Sequence, residues 1–314
     1  MLAKGKYHFG PITNEDEIVT DTLSEDMKVE HLIVDEFETR IDFLNNGVLP
    51  DPRIMIPQIQ TMDVFDDDIF ICAFMKCGTH WLWEMVQMIV NGKAEYFSKA
   101  KECCTMEFHL PDEYSDFQRP RIFNSHFTPK CLPKQAYEKK CKLIIIERNP
   151  KDIITSQYHH WKLLFPQIAL PWSDFLKSVY TNDRNINSNW FFYRKKWSDF
   201  LSSSNNPCLV LRYEDIKQKT LQSLFTLSDF LGYPREETFL KEIQEKCSLD
   251  KMRDMEKLRE SGTDIINSDQ VSKLYRKGAV GDWKNHFTVA QNEQFETLLE
   301  KKMNGEQVNF TYEL

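Results

Sequence analysis

Short apolar runs constrain this chain most: the uninterrupted Ile69–Phe74, Leu143–Ile146 and Cys208–Leu211, and a shorter apolar pair within Arg121–Ser125. Polar turns and stretches of helical spacing follow them. Continuous runs rich in β-branched and aromatic residues suit strands buried on both faces. Strands alternating with helices predict an α/β fold, a single domain with a central parallel sheet flanked by helices. Trp81–Val90 is apolar nearly all round and reads as a buried helix. Beyond Arg148, Asn149 is an N-cap, Pro150 a first helical residue and Asp152 the acid of the first turn. Leu221–Leu231 is periodic and stops at Gly232, with Pro234 beyond. Asn189–Leu201 carries Trp190, Tyr193, Arg194 and Trp197 at helical spacing. The 314 residues contain no internal repeat, low-complexity segment or linker that would divide the body. Residues 1–40, polar and acid-rich, read as an N-terminal extension with short elements. It docks through Phe37, Ile41 and Phe43 onto a body spanning 41–314.

Residues able to do chemistry sit just past the carboxyl end of each run: Lys76, His126, Arg148 and Tyr213. Open parallel sheets bind ligands there. In Lys76–Trp81, Gly78 lets an anion approach the backbone, and the following helix offers unpaired N–H groups and its positive dipole end. Lys76 adds a charge and Thr79 a hydroxyl. The segment reads as a phosphate cradle or, more plainly, as a tight β–α turn. The Walker pattern G-x-x-x-x-G-K-[ST] is absent, which argues against an ATP-dependent kinase. Arg148 and Ser156, two helical turns apart, can share one phosphate; alone they would pass for a surface Arg and a helix Ser. Arg276, Lys277 and Gly278, with Gly281 close behind, suit a clamp over an anion or a merely charged loop. His126 is either a hydrogen-bonded core residue or a base for a hydroxyl nucleophile. His159 and His160 lack metal-ligand spacing and read as helix surface or pocket wall.

The net charge of −8, without a basic tail, argues against nucleic acid as a partner. The eight cysteines are scattered and form no C-x-x-C pair, as expected of reduced thiols in a cytoplasmic protein. The N-terminus carries no signal-like apolar core, and no apolar stretch is long enough to span a membrane. Aromatic residues make up 13% of the chain, enough for a hydrophobic acceptor pocket, although a packed core would give the same figure.

Together these segments resemble the animal cytosolic sulfotransferase family from about Ile69 to Glu293. KCGTHW looks like that family's strand–loop–helix segment for the 5′-phosphosulfate, a P-loop-like device. RNPKDIITS looks like its 3′-phosphate segment, and RKGAVGDWKN like its C-terminal loop. KNHFTVAQNE matches its dimerisation motif through Lys284, Thr288, Val289 and Glu293, implying a homodimer. The resemblance implies 3′-phosphoadenosine 5′-phosphosulfate (PAPS) as donor and no metal. The sulfuryl group passes to the hydroxyl or amine of a small hydrophobic acceptor, such as a phenol or sterol-like alcohol, in xenobiotic or hormone metabolism. It casts His126 as general base, Lys76 as the cation on the leaving phosphate, and Ser156 as a 3′-phosphate contact that restrains Lys76. Cys77, Gly78, Thr79 and His80 join the donor loop, and Arg148, Arg276, Lys277 and Gly278 hold the 3′-phosphate. Trp81 and Tyr213 take the adenine. The chain departs from the family's pattern at Cys77, where Ser is usual, and at His80, where Thr is usual. Asn124 replaces a lysine common two residues before the catalytic His. Cys247 and Leu249 stand where Thr and an aromatic often meet adenine. Asn124, His109, Phe127, Tyr158 and the stretch Trp161–Trp172 are candidates for the acceptor pocket. The alternative is a nucleotide-binding dimer of the same fold with weak or no catalysis.

Overall fold

The computed structural model describes residues 6–24, 27–166, 169–181, 189–259, 273–303 and 310–314. Strands β4 (Ile69–Ala73), β5 (Ile122–Ser125), β6 (Lys142–Glu147) and β7 (Cys208–Arg212) form a parallel sheet in the order β5-β4-β6-β7. The chain runs from β4 to β5 on one side and returns to β6 on the other. The resulting switch point lies at the carboxyl end of β4, where an open α/β sheet leaves a crevice. All of β4 and β5 is buried, β4 through an unbroken apolar run and β5 with Asn124 and Ser125 buried beside Ile122 and Phe123. β7 corrects the expectation of burial on both faces. It is the edge strand, only Leu211 is buried, and Val210 is exposed.

The helix Thr79–Asn91 follows the β4 loop and buries nearly every side chain; its one carboxylate, Glu84, pairs with Arg259 at 2.7 Å. Phe70, Ile71, Trp83 and Ile144 are fully buried in the main core, each contributing about 1.5–3 kcal/mol. The helix Pro150–Leu164 begins as its sequence demands: Asn149 Oδ1 accepts from the Asp152 N–H at 2.8 Å, with Pro150 in the first turn. Thr220–Leu231 ends on Gly232 in the left-handed conformation, and Trp190–Ser203 starts on an Asn189 cap.

The N-terminal segment carries more structure than its polar sequence suggests. β1 (Glu17–Ser24), β2 (Met27–Val34) and β3 (Phe37–Arg40) form an antiparallel meander. Phe37 enters the main core and meets Phe127 edge-on at 5.2 Å. Leu32, Ile41, Leu44 and Leu49 form a second cluster beside it.

Candidate active site

A cavity of about 550 Å³ opens at the carboxyl ends of β4, β5 and β6. The loop after β4 forms its floor. Lys76 and Gly78 take positive φ angles of 73° and 98°, which turn the chain sharply from strand into helix. At Gly78 a Cβ would lie 2.8 Å from the Tyr213 ring, so both the φ and the close approach require glycine. Gly78, Thr79, His80 and Trp81 line the cavity, where the first-turn N–H groups have no intrahelical acceptor. The Lys76 ammonium makes no hydrogen bond or ion pair among the described residues. Burial, with the Arg148 and Lys101 charges, pulls its pKa down to about 7. Such a cation is poised for an anionic partner.

Arg148 ties this loop to the one before the C-terminal helix. Its guanidinium donates to the Lys76 carbonyl at 3.0 Å and the Ala279 carbonyl at 3.1 Å, stacked 4.3 Å over Tyr213. Asp152, in the first turn of Pro150–Leu164, accepts from the Gly281 N–H at 2.8 Å and the Trp283 N–H at 3.0 Å. Arg276 and Lys277 both pair with Asp282 and line the cavity with Gly278, against which Leu249 packs. Ser156 lines the same wall. Trp81 meets Tyr213 edge-on at 5.6 Å, and Cys247 and Leu249 lie on the same rim. Cys77 turns its side chain into the core, leaving only backbone to the loop.

His126 stands at the end of β5. Its Nδ1 lies 2.8 Å from the Ala73 carbonyl. A carbonyl only accepts, so Nδ1 carries the proton and Nε2 keeps its lone pair. Burial, then the Lys101 charge, lowers the imidazole pKa to about 3, so the ring is neutral at physiological pH. Glu107 fixes the backbone here, accepting from the His126 N–H and from Ser125 Oγ at 2.9 Å.

His80 bonds through Nε2 to Glu102 Oε1 at 2.7 Å. Burial alone would raise the Glu102 carboxyl, but His80 and then Lys101 hold it well below the usual range. Neither Lys101 nor Glu102 stands out in the polar stretch KAKECC, yet both line the cavity.

The far end is apolar and aromatic, with one buried cation. Phe43, Trp161, Leu164 and Phe165 line it with Phe74 and Tyr193. Arg40 of β3 stacks 4.5 Å over Phe165 and 5.0 Å over Phe43 and bonds to Asp42. The sequence reading missed Arg40, Phe43 and Tyr193 as wall residues. The other acceptor candidates need correction, since none of the four reaches the cavity. His109 is held by the Glu102 carbonyl at 2.9 Å and by Glu113 at 3.0 Å. Phe127 packs on Phe37, and Tyr158 is enclosed by Trp172, Phe175 and His286. Asn124 is wholly buried behind the wall. Of Trp161–Trp172, residues 167 and 168 lie outside the described residues. His160 lines the cavity, whereas His159 faces His286 across 3.2 Å. Lys284, Thr288, Val289 and Glu293 are exposed and away from the cavity.

An anion cradle at the switch point, a recessed lysine and a neutral histidine define a group-transfer enzyme acting on a phosphorylated donor. A family profile described as Sulfotransferase domain matches residues 66–307. Human Sulfotransferase 1C2 is 33% identical over 270 residues, covering 82% of this chain and 90% of its own. Bos taurus Sulfotransferase 1E1 is 32% identical over 285 residues, covering 84% and 94%. The chain belongs to the sulfotransferase family. The crystal structure of mouse sulfotransferase SULT7A1 complexed with PAP superposes with a TM-score of 0.68 at 28% identity, covering 81% of this chain and 90% of that one. Retinol dehydratase, solved with androsterone and PAP, shares the fold at a TM-score of 0.65 and 19% identity, covering 90% and 91%.

Proposed function

We propose that this enzyme moves the sulfuryl group of PAPS to a hydroxyl or amine of a small hydrophobic acceptor. The observation that carries the reading is the convergence of Lys76 and His126 on one cavity, with a phosphate cradle at one end and an aromatic chamber at the other. His126 Nε2 takes the acceptor proton as the acceptor oxygen forms its bond to sulfur. The bond from sulfur to the bridging oxygen breaks, and PAP (3′-phosphoadenosine 5′-phosphate) leaves. Lys76 meets the charge building on that oxygen and its phosphate. Arg148, Ser156, Arg276, Lys277 and Gly278 hold the 3′-phosphate. Trp81 and Tyr213 take the adenine, with Cys247 and Leu249 at its edge. His80 orients Glu102 rather than touching the donor, a role supported by their 2.7 Å contact.

In this reading residues 41–314 form the catalytic domain and residues 1–40 an extension docked on it. Burial of Phe37 in the main core supports that docking, and the meander closes the acceptor chamber with Arg40. Two copies associate through Lys284, Thr288, Val289 and Glu293; the 77% exposure of the apolar Val289 supports this. Eight free cysteines suit a reducing cytoplasmic setting, and among the described residues no helix is long and apolar enough to cross a membrane. The aromatic chamber favours phenols and alicyclic alcohols, the acceptor types of xenobiotic and hormone metabolism. The test is incubation with labelled PAPS and a panel of phenols, alcohols and amines. Transfer to one class is expected, and tight PAP binding without transfer to any would leave only the non-catalytic nucleotide binder.

A further inference from the structure

We propose that Lys101 is a further catalytic residue, a cation reaching from the short helix Lys101–Cys104 to the transferring sulfuryl group in place of a lysine on β5. The proposal rests on the sulfuryl-transfer reading of this site.

Residues 124 and 126 are two apart at the end of β5, so side chains there share one side of the strand. A lysine at 124 would extend beside His126. Asn124 is too short to do so. Oriented with its oxygen outward, its amide accepts from the Lys101 ammonium at 3.2 Å and from the Ser125 N–H at 3.2 Å. The ammonium therefore occupies the space into which a longer side chain at 124 would project. It also donates to Thr105 Oγ1 at 3.2 Å. A parallel bridge between Thr105 and Asn124 stitches this segment to β5, so the position of Lys101 is built in.

Three features mark it as more than a structural lysine. It is 3% exposed yet lines the same cavity as Lys76 and His126. Its acceptors, Thr105 and Asn124, are neutral oxygens, and it forms no ion pair among the described residues. Its neighbour Glu102 is committed to His80. An ammonium has three N–H donors, so one donor remains for an anion, while its charge also acts on the buried carboxyls of Glu102 and Glu107. Its field also reaches both catalytic groups, opposing protonation of His126 and of Lys76. During transfer the sulfuryl oxygens and the departing phosphate oxygen carry the negative charge. Lys76 meets that charge from the β4 loop and Lys101 from the side of β5.

Steady-state transfer from labelled PAPS, PAP affinity by calorimetry and thermal melting would be compared for Lys101→Met, Lys101→Gln and the double variant Lys101→Met with Asn124→Lys. Lys101→Met is expected to lower kcat about 10²-fold while PAP affinity stays within about threefold. The double variant, which returns the cation from β5, should recover to within about tenfold of the wild type. Lys101→Gln keeps hydrogen-bonding capacity without charge, so it tests the cation even if Lys101→Met melts early; it too should lose about 10²-fold. Wild-type kcat in Lys101→Gln, or a fully folded double variant no faster than Lys101→Met, would overturn the proposal. His126→Ala is run alongside. If it also transfers at the wild-type rate, the reading of the whole site fails; if only the Lys101 variants do, the site stands and Lys101 alone is dismissed.

Discussion

The two ends of the cavity are built from different materials. The donor end is framed by backbone, with its charged side chains set on that frame. Lys76, Gly78, Gly278 and Gly281 all have positive φ, and Arg148 and Asp152 fasten the two loops together through main-chain carbonyl and N–H groups. The acceptor end is mostly side chain, with Phe43, Trp161 and Phe165 gathered around Arg40. A backbone site tolerates side-chain exchange wherever the chain path survives, as Cys77 illustrates, but not an added Cβ at its glycines. A side-chain site changes its preference with each substitution while the fold persists.

The sharpest test falls where the two ends meet. His126→Ala should cut transfer about 10³-fold and leave PAP affinity within about twofold, measured by initial rates and calorimetry. A collapse of affinity would make His126 a structural part of the donor end instead. Next, Gly78→Ala should weaken PAP binding about 10²-fold, since about 1–3 kcal/mol of strain is forced on the cradle where the Cβ meets Tyr213. Cys77→Ser, one residue away, should change binding less than about twofold, because the side chain is turned into the core and only its backbone faces the ligand. Equal effects from the two would refute the backbone account.

The pH dependence should also separate free from loaded enzyme. With its pKa near 7, Lys76 loses its charge as pH rises through neutrality. kcat/KM for the donor should therefore fall up to about tenfold per pH unit above that point, while kcat holds to higher pH because bound phosphates favour the ammonium. His126, lowered to about 3, adds no acid limb near neutrality. Its linkage has the opposite sense to a raised histidine: the unfolded ring takes a proton near pH 6.5 and the folded ring resists, so stability drains away as pH falls from about 6.5 toward 3. The mildest change belongs to the acceptor end. Arg40→Met should raise the acceptor KM about fivefold, the scale of a lost cation–π stack, and leave PAP affinity unchanged. A matching loss of PAP binding would show that the ends are not independent.

The same contrast explains what could be read in the sequence. The donor loop lies in consecutive residues after a buried strand, and Arg148 and Ser156 are two helical turns apart, so local rules reach them. The acceptor wall comes from β3, the end of Pro150–Leu164 and Trp190–Ser203, which only the tertiary fold brings together. Candidates chosen as sequence neighbours of the site failed for geometric reasons. Tyr158 is two residues past Ser156, about 200° further round the helix, so it faces the opposite side. Phe127 follows His126 directly, and adjacent side chains on extended backbone point apart. All four residues of β3 are buried, so the alternation that announces a half-exposed strand is missing. Lys101 and Glu102 sit in a single short turn, too brief for any period to register.

Asp282 gives the C-terminal loop a property that its charge alone would not. Burial would raise this carboxyl, but Lys277 and Arg276 hold it well below the usual carboxylate range. The loop behaves as an ion exchanger loaded with its own counter-ion. An incoming anion must replace a tethered carboxylate rather than fill an empty field. Chloride and other diffuse monoanions have little advantage in that exchange, whereas a phosphate dianion offers more charge and more oxygens to the same two cations. In the proposed donor site, selectivity against the common small anions would thus be set by an acidic residue that need never touch the nucleotide.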